Sequence, residues 1–473
     1  MSTSFEYWFI KNGKQIPKRN PKKTKPLAYI QRHFSKLALH CPPAYGPFAP
    51  TVCISQKLLF KAALCAGYGP KGKWPSLFKI LPAERVILLN ALTSNFRSVE
   101  CFIQFSSGKI SLHSAYRLLD PTVVGQYSYD IGSMAAYIAM DTWLDSAGAK
   151  IEVCLHTTVF QDSMISVVAG KVGLKIGRSL PDYVVKDNTN QWHALEAKGG
   201  SERWSKVYDG LQQLRNTANI STSVGAPPVA FASMLCTHAR VDAGQEIDIV
   251  VVDPPGDNNR RPDKWIVILP QMVELLGVLE SISRFRSLQG VERPYHLPES
   301  VSSQLFRQFE CSYSNVSMDL RLLIPRALLK IEITLMETTT LVSALVGAMQ
   351  VFADGEAADR KPTFRSRAVE LLKQHQQGIL SAFRRSRSRM RLAHAFLISD
   401  QSEKTDNVEY GLHVIDTLLG DWYARAVLQT ARENIELSER LFRVLQESDP
   451  VKLPGGLVCL SAARWERNPF GTT

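Results

Sequence analysis

At 473 residues, 45% hydrophobic and 21% charged, the chain has the composition of a soluble globular protein and is long enough for two or three domains. It holds no run of about 18 uninterrupted apolar residues, which argues against a membrane span. The start MSTSFEYWFIKNGKQ lacks the basic, apolar and small-residue order of a secretory signal. The net charge of +12 is unevenly placed: between Glu6 and Glu84 there are fourteen Lys and Arg and no Asp or Glu. A field of one sign attracts polyanions, nucleic acid first among them, although a solubilising surface or a patch for an acidic protein would look the same.

Residues 11–26, KNGKQIPKRNPKKTKP, carry Lys22 and Lys23 and almost nothing to bury, so an extended basic arm is expected. Residues 27–120 alternate short apolar runs with Pro/Gly breaks and end in strand-like FIQFSSGKISLH, which suggests a small mixed domain. Residues 1–120 are therefore expected to form a basic N-terminal region that binds nucleic acid or a partner. The eight cysteines are scattered without a C-x-x-C pair, which argues against structural zinc and for a reducing cytoplasm.

From 121 to 262 the pattern is that of an α/β unit with a central sheet packed by helices. YDIGSMAAYIAMDTWLDSAG predicts a helix ending at Gly148. IEVCLHTTVF, SMISVVAGKV, PDYVV and WHALEA predict strands, and ERWSKVYDGLQQLRNTAN a second helix. PVAFASMLC and EIDIVVVD predict two more strands. Beyond 263 long apolar-periodic stretches, beginning with WIVILPQMVELLGVLESISRFRSL and LRLLIPRALLKIEITLMETTTLVSALVGAMQVF, predict a mainly helical C-terminal domain. Within it, FRRSRSRMR places Arg384, Arg385, Arg387, Arg389 and Arg391 within eight residues, suited to backbone phosphate contact, or simply a solvated helix end.

The stretch PDYVVKDNTNQWHALEAKGG, residues 181–200, carries the chemistry. Strand alternation projects Glu196 and Lys198 from one face and His193, Leu195 and Ala197 from the other. A hairpin through DNTN sets Asp182 beside Glu196. Two carboxylates converging from adjacent strands near a lysine are what metal-assisted phosphodiester hydrolysis requires, since Mg²⁺ is held by hard oxygen ligands. The plainer alternative is a cross-strand charged pair on a solvated hairpin. Glu196 starts the only E-x-K triplet in the chain. Neither a zinc-type histidine pair, nor a G-x-x-x-x-G-K-[ST] loop, nor G-x-S-x-G occurs.

Pro181-Asp182, a spacer, then Glu196-Ala197-Lys198, preceded by helix and strand and followed by a helix, resembles the PD-(D/E)XK nuclease superfamily, the restriction-endonuclease-like fold. The resemblance covers about residues 125–255. It implies a Mg²⁺-dependent (or Mn²⁺-dependent) nuclease, with DNA expected ahead of RNA and a restriction-like role in anti-phage defence. It assigns Asp182 and Glu196 as metal ligands, with the backbone carbonyl of Ala197, and Lys198 as the group that positions or activates water. It also points to Tyr208, Gln212 and Gln213 on the following helix as substrate contacts. A further acid from the first helix is usual in the family; Asp141 is the candidate here, with Asp145 one turn on. A regulatory protein partner or a homo-oligomer is expected to restrain such an activity. The rival expectation is an inactive nuclease-fold binding or scaffold subunit of a larger complex.

Overall fold

The structure, a computed structural model, describes residues 2–10, 26–37, 51–54, 56–66, 102–106, 109–157, 165–168, 171–173, 180–215, 217, 219–221, 231–253, 264–267, 270–287, 303–314, 320–353, 370–371, 374, 424–445, 451–453 and 457–461. The basic arm with Lys22 and Lys23, and the arginine cluster Arg384, Arg385, Arg387, Arg389 and Arg391, lie outside the described residues.

In chain order, the first elements are β1 (Ser2–Ile10), α1 (Pro26–His33), β2 (Phe34–Leu37), β3 (Thr51–Cys53) and α2 (Gln56–Ala66). Then come β4 (Ile103–Ser106), β5 (Lys109–Leu112), α3 (Pro121–Ser146), β6 (Ile151–His156), β7 (Ile165–Val168) and β8 (Lys171–Gly173). The central hairpin is β9 (Tyr183–Asp187) and β10 (Trp192–Gly200), followed by α4 (Arg203–Arg215), β11 (Asn219–Ser221), β12 (Ser233–Arg240) and β13 (Ile249–Asp253). The C-terminal part holds β14 (Lys264–Val267), α5 (Pro270–Ser287), α6 (Ser303–Phe306), β15 (Phe309–Ser314) and β16 (Leu320–Pro325). It continues with α7 (Arg326–Lys330), α8 (Glu332–Ala353), α9 (Ala424–Val444), β17 (Val451–Leu453) and β18 (Leu457–Ser461).

The protein is α/β, with a mixed sheet ordered β4-β5-β1-β13-β12-β10-β9-β6 and with β2 and β3 also paired to β1. β10 runs parallel to β12 and antiparallel to β9; β1 runs parallel to β13. Two smaller sheets have the orders β11-β14-β7-β8 and β15-β16-β18-β17. Helix α3 starts eight residues before the expected stretch because Asp120 caps it, accepting from Thr122 N at 2.8 Å, with Pro121 in the first turn. It ends as expected: Gly148 takes a positive φ of 72°, which a side chain would resist.

The expected boundary at 120 is not respected by the sheet. Ser2–Ile10 pairs with β13 in the middle of the sheet, and Tyr7 and Trp8 are buried there. Within the mainly helical part expected beyond 263, two stretches read as helix open on strands instead. The WIV of 265–267 is a strand paired to β7, and LRLLIP is a strand between β15 and β18. Such short apolar runs satisfy a buried strand as well as a helix, and Pro270 and Pro325 stand at the joins.

Candidate active site

The hairpin is fixed by its turn before any site forms. The Asp187 carboxylate accepts from Thr189 N at 2.8 Å, Thr189 Oγ1 at 2.7 Å and Gln191 N at 2.8 Å, and Asn190 adopts a φ of 65°. The second Asp187 oxygen meets His193 Nε2 at 3.1 Å, and His193 Nδ1 meets Ser233 Oγ at 2.7 Å. His193 is buried, and burial lowers its pKa against the pull of Asp187. Its place is thus as expected, a packing histidine facing away from Glu196. Through it the turn is tied to β12, which locks the register of β9, β10 and β12.

That register pairs Leu195 with Tyr183 and so sets Glu196 opposite Asp182. The two acids are interlocked through the backbone: Asp182 N donates to Glu196 Oε2 at 3.1 Å, and Ala197 N donates to Asp182 Oδ2 at 2.9 Å. Lys198 Nζ forms an ion pair with Glu196 Oε1 and stands 3.7 Å from Asp182 Oδ2. It also donates to Gln213 Oε1 at 2.8 Å. Glu196 is fully buried, and its pKa is pushed up to about 8, by burial first and by the Asp182 charge second, against the pull of Lys198. Burial works to lower Lys198, but the Asp182 and Glu196 charges overcome it and its pKa is raised. The lysine is therefore an ammonium at neutral pH.

Glycines let the flanking helices reach this strand. Gly199 faces α3, where a β-carbon would run into the Ser128 backbone, and a β-carbon on Gly132 would lie 2.7 Å from the Lys198 carbonyl. On the other face, a β-carbon on Gly210 of α4 would meet Cys236 Sγ at 2.5 Å and Glu196 Cγ at 3.2 Å. Strand β10 is thus held between α3 and α4, with Glu196, Lys198 and Cys236 on the α4 side.

Asp182, Glu196, Ala197, Lys198 and Gln213 are brought together; the remaining expected residues are placed otherwise. Asp141 pairs with Lys61 Nζ of α2 at 3.0 and 3.2 Å. It lies nine residues beyond Gly132 along α3, about 13 Å at the helical rise, and does not join the two acids. Asp145 is exposed near the helix end. Tyr208 is buried, edge-on to Tyr29 with ring centroids 5.2 Å apart, so its hydroxyl packs in the core and does not line an open face. Gln212 is half-buried on α4.

A neutral pair that the sequence did not suggest stands at the same end of the sheet. Tyr129 of α3 bonds His156 Nε2 at 3.1 Å, and His156, the last residue of β6, is paired with Tyr183. Burial lowers the His156 pKa to about 4, with Asp182 pulling the other way. The next residue, Thr157, holds the Pro181-Asp182 backbone by donating to Asp182 O at 2.9 Å and, through Oγ1, to Pro181 O at 2.8 Å.

The donor set fits a hard cation. Two carboxylates converge at a place where burial first and the Asp182 charge second raise Glu196, and a divalent charge would offset both. Among the described residues no group of three or more His, Cys, Asp or Glu is arranged to hold a metal, but Mg²⁺ is commonly bound through one or two carboxylates and keeps several waters. Among the described residues no helix is long and apolar enough to cross a membrane. In comparison with known proteins, no family model, no curated protein and no solved structure matches the chain.

Proposed function

We propose that the protein is a metal-dependent nuclease of the PD-(D/E)XK type that hydrolyses phosphodiester bonds, with DNA ahead of RNA as substrate. The finer fold reading, a restriction-endonuclease-like core, belongs to the same proposal. The observation that carries it is the convergence of Asp182 and Glu196 on adjacent strands, with the Lys198 ammonium in contact with Glu196 and 3.7 Å from Asp182. A decorated solvated hairpin would leave these groups exposed, whereas here Glu196 is fully buried. Burying an acid beside a second acid is costly and is characteristic of functional sites.

Asp182, Glu196 and the Ala197 carbonyl would hold Mg²⁺ or Mn²⁺. When bound, such an ion polarises the phosphoryl group and lowers the pKa of the attacking water. The chain's own contribution is positional and electrostatic. The Ala197 and Asp182 amides fix the two carboxylates, and Lys198, kept protonated, offers positive charge to the phosphate instead of serving as a base. The basic segments at 11–26 and 384–391 would hold the nucleic-acid backbone by charge. A restriction-like defence role, with a partner or self-association restraining the activity, extends the same proposal.

Purified protein incubated with plasmid and with single-stranded DNA and RNA tests this directly. Cleavage is expected with Mg²⁺ or Mn²⁺, none with EDTA and none for Lys198→Ala. Cleavage that persists in EDTA or in Lys198→Ala would overturn the assignment, and binding without cleavage would favour the scaffold alternative.

A further inference from the structure

Both oxygens of Glu196 are already engaged. Oε2 takes the Asp182 amide at 3.1 Å, and Oε1 takes the Lys198 ammonium. Each oxygen keeps a second lone pair, but a cation bound there would share the carboxylate with the Lys198 ammonium, and the two positive charges repel. The amide is fixed in the β9–β10 hairpin, while lysine carries its charge on a flexible four-carbon stem. Lys198 Nζ also already donates to Gln213 Oε1 at 2.8 Å, from the exposed rim of α4. An ammonium has three donors, and losing one anionic partner in a largely buried place is costly unless another acceptor remains.

We propose that Lys198 and a divalent cation compete for Glu196, and that Gln213 is the positioning residue that keeps the ammonium beside the site when the cation prevails. The inference rests on the nuclease reading and deepens it. Gln213, which the resemblance assigned to substrate, acts through Lys198. Its carboxamide oxygen accepts from the ammonium.

The test is calorimetric titration of Mn²⁺ into the full chain as wild type, Lys198→Met, Gln213→Ala and the double variant, with far-UV circular dichroism as the folding control. Lys198→Met is expected to bind Mn²⁺ about tenfold more tightly, and Gln213→Ala about threefold more weakly. The double variant is expected to match Lys198→Met, because Gln213 has no effect without the ammonium it holds. Lys198→Gln serves if Lys198→Met does not fold, since it keeps a polar donor for Glu196 and carries the same expectation. Unchanged or weaker Mn²⁺ binding in the Lys198 variant overturns the inference, as does a Gln213→Ala effect that persists in that background. Equal uptake by all four proteins sinks this inference and leaves the metal reading standing. No uptake by any of them sinks both.

Discussion

A β-carbon placed on Gly132 would lie 2.7 Å from the carbonyl carbon and oxygen of Lys198, closer than real β-carbons come to backbone. Helix α3 therefore rests directly on the strand that carries Lys198, and neither partner can yield without moving a whole element. Gly132→Ala is expected to cost about 3 kcal/mol, at the upper end for overpacking a core. Chemical denaturation measures it; a loss within error of zero would show that the helix does not seat on β10 as described.

On the opposite face the obstacle is a side chain, so it can be removed. Gly210→Ala is expected to destabilise through Cys236 Sγ, 2.5 Å from the new carbon. Adding Cys236→Ala should return part of the loss, giving a coupling of about 1 kcal/mol. Strictly additive effects in a double-mutant cycle would contradict the close seating of α4 over Glu196.

How much of this was legible follows from where the signals are local. The hairpin could be read because strand alternation, the DNTN turn and the E-x-K triplet all lie within twenty residues. The facing of Glu196 with Lys198, and of His193 away from them, follows from period two alone. The insertion of Ser2–Ile10 beside β13 could not be read, since it pairs residues about 244 apart. The first helix misled in a different way. Asp141 does follow Met134 and Ile138 on one stripe, but a stripe fixes the angle around a helix and not the position along it. Gly132, a small residue inside a helix, was the available sign that the close approach to β10 occurs nine residues earlier.

Asp141→Asn is accordingly expected to spare cleavage. It removes the partner of Lys61, a half-exposed pair, and should cost about 1 kcal/mol or less. Rate measurement under saturating metal checks this, and a loss of activity comparable to that of Asp182→Asn would restore Asp141 to the site.

His238 is fully buried on β12, and apart from its own backbone neither ring nitrogen has a hydrogen-bond partner among the described residues. Burial, then Arg203 and Lys206, lowers its pKa to about 3 from 6.5. Below pH 6.5 the unfolded chain takes up a proton there that the folded chain refuses, so stability falls as pH drops toward about 3. His238→Leu should remove that dependence. Relative to wild type, the variant should gain about 2 kcal/mol on moving from pH 8 to pH 5. Parallel denaturation curves at the two pH values would rule the buried neutral imidazole out.

The most direct measurement is the rate of plasmid cleavage by Glu196→Gln against wild type at saturating Mg²⁺, with nucleic-acid affinity measured on the same preparations. Glu196→Gln keeps shape and burial while removing the charge that Lys198 and the metal both seek. The expected result is a fall in rate of roughly 10²–10⁴-fold with affinity largely retained. Cleavage at the wild-type rate by Glu196→Gln would contradict the assignment of this hairpin as a nuclease site.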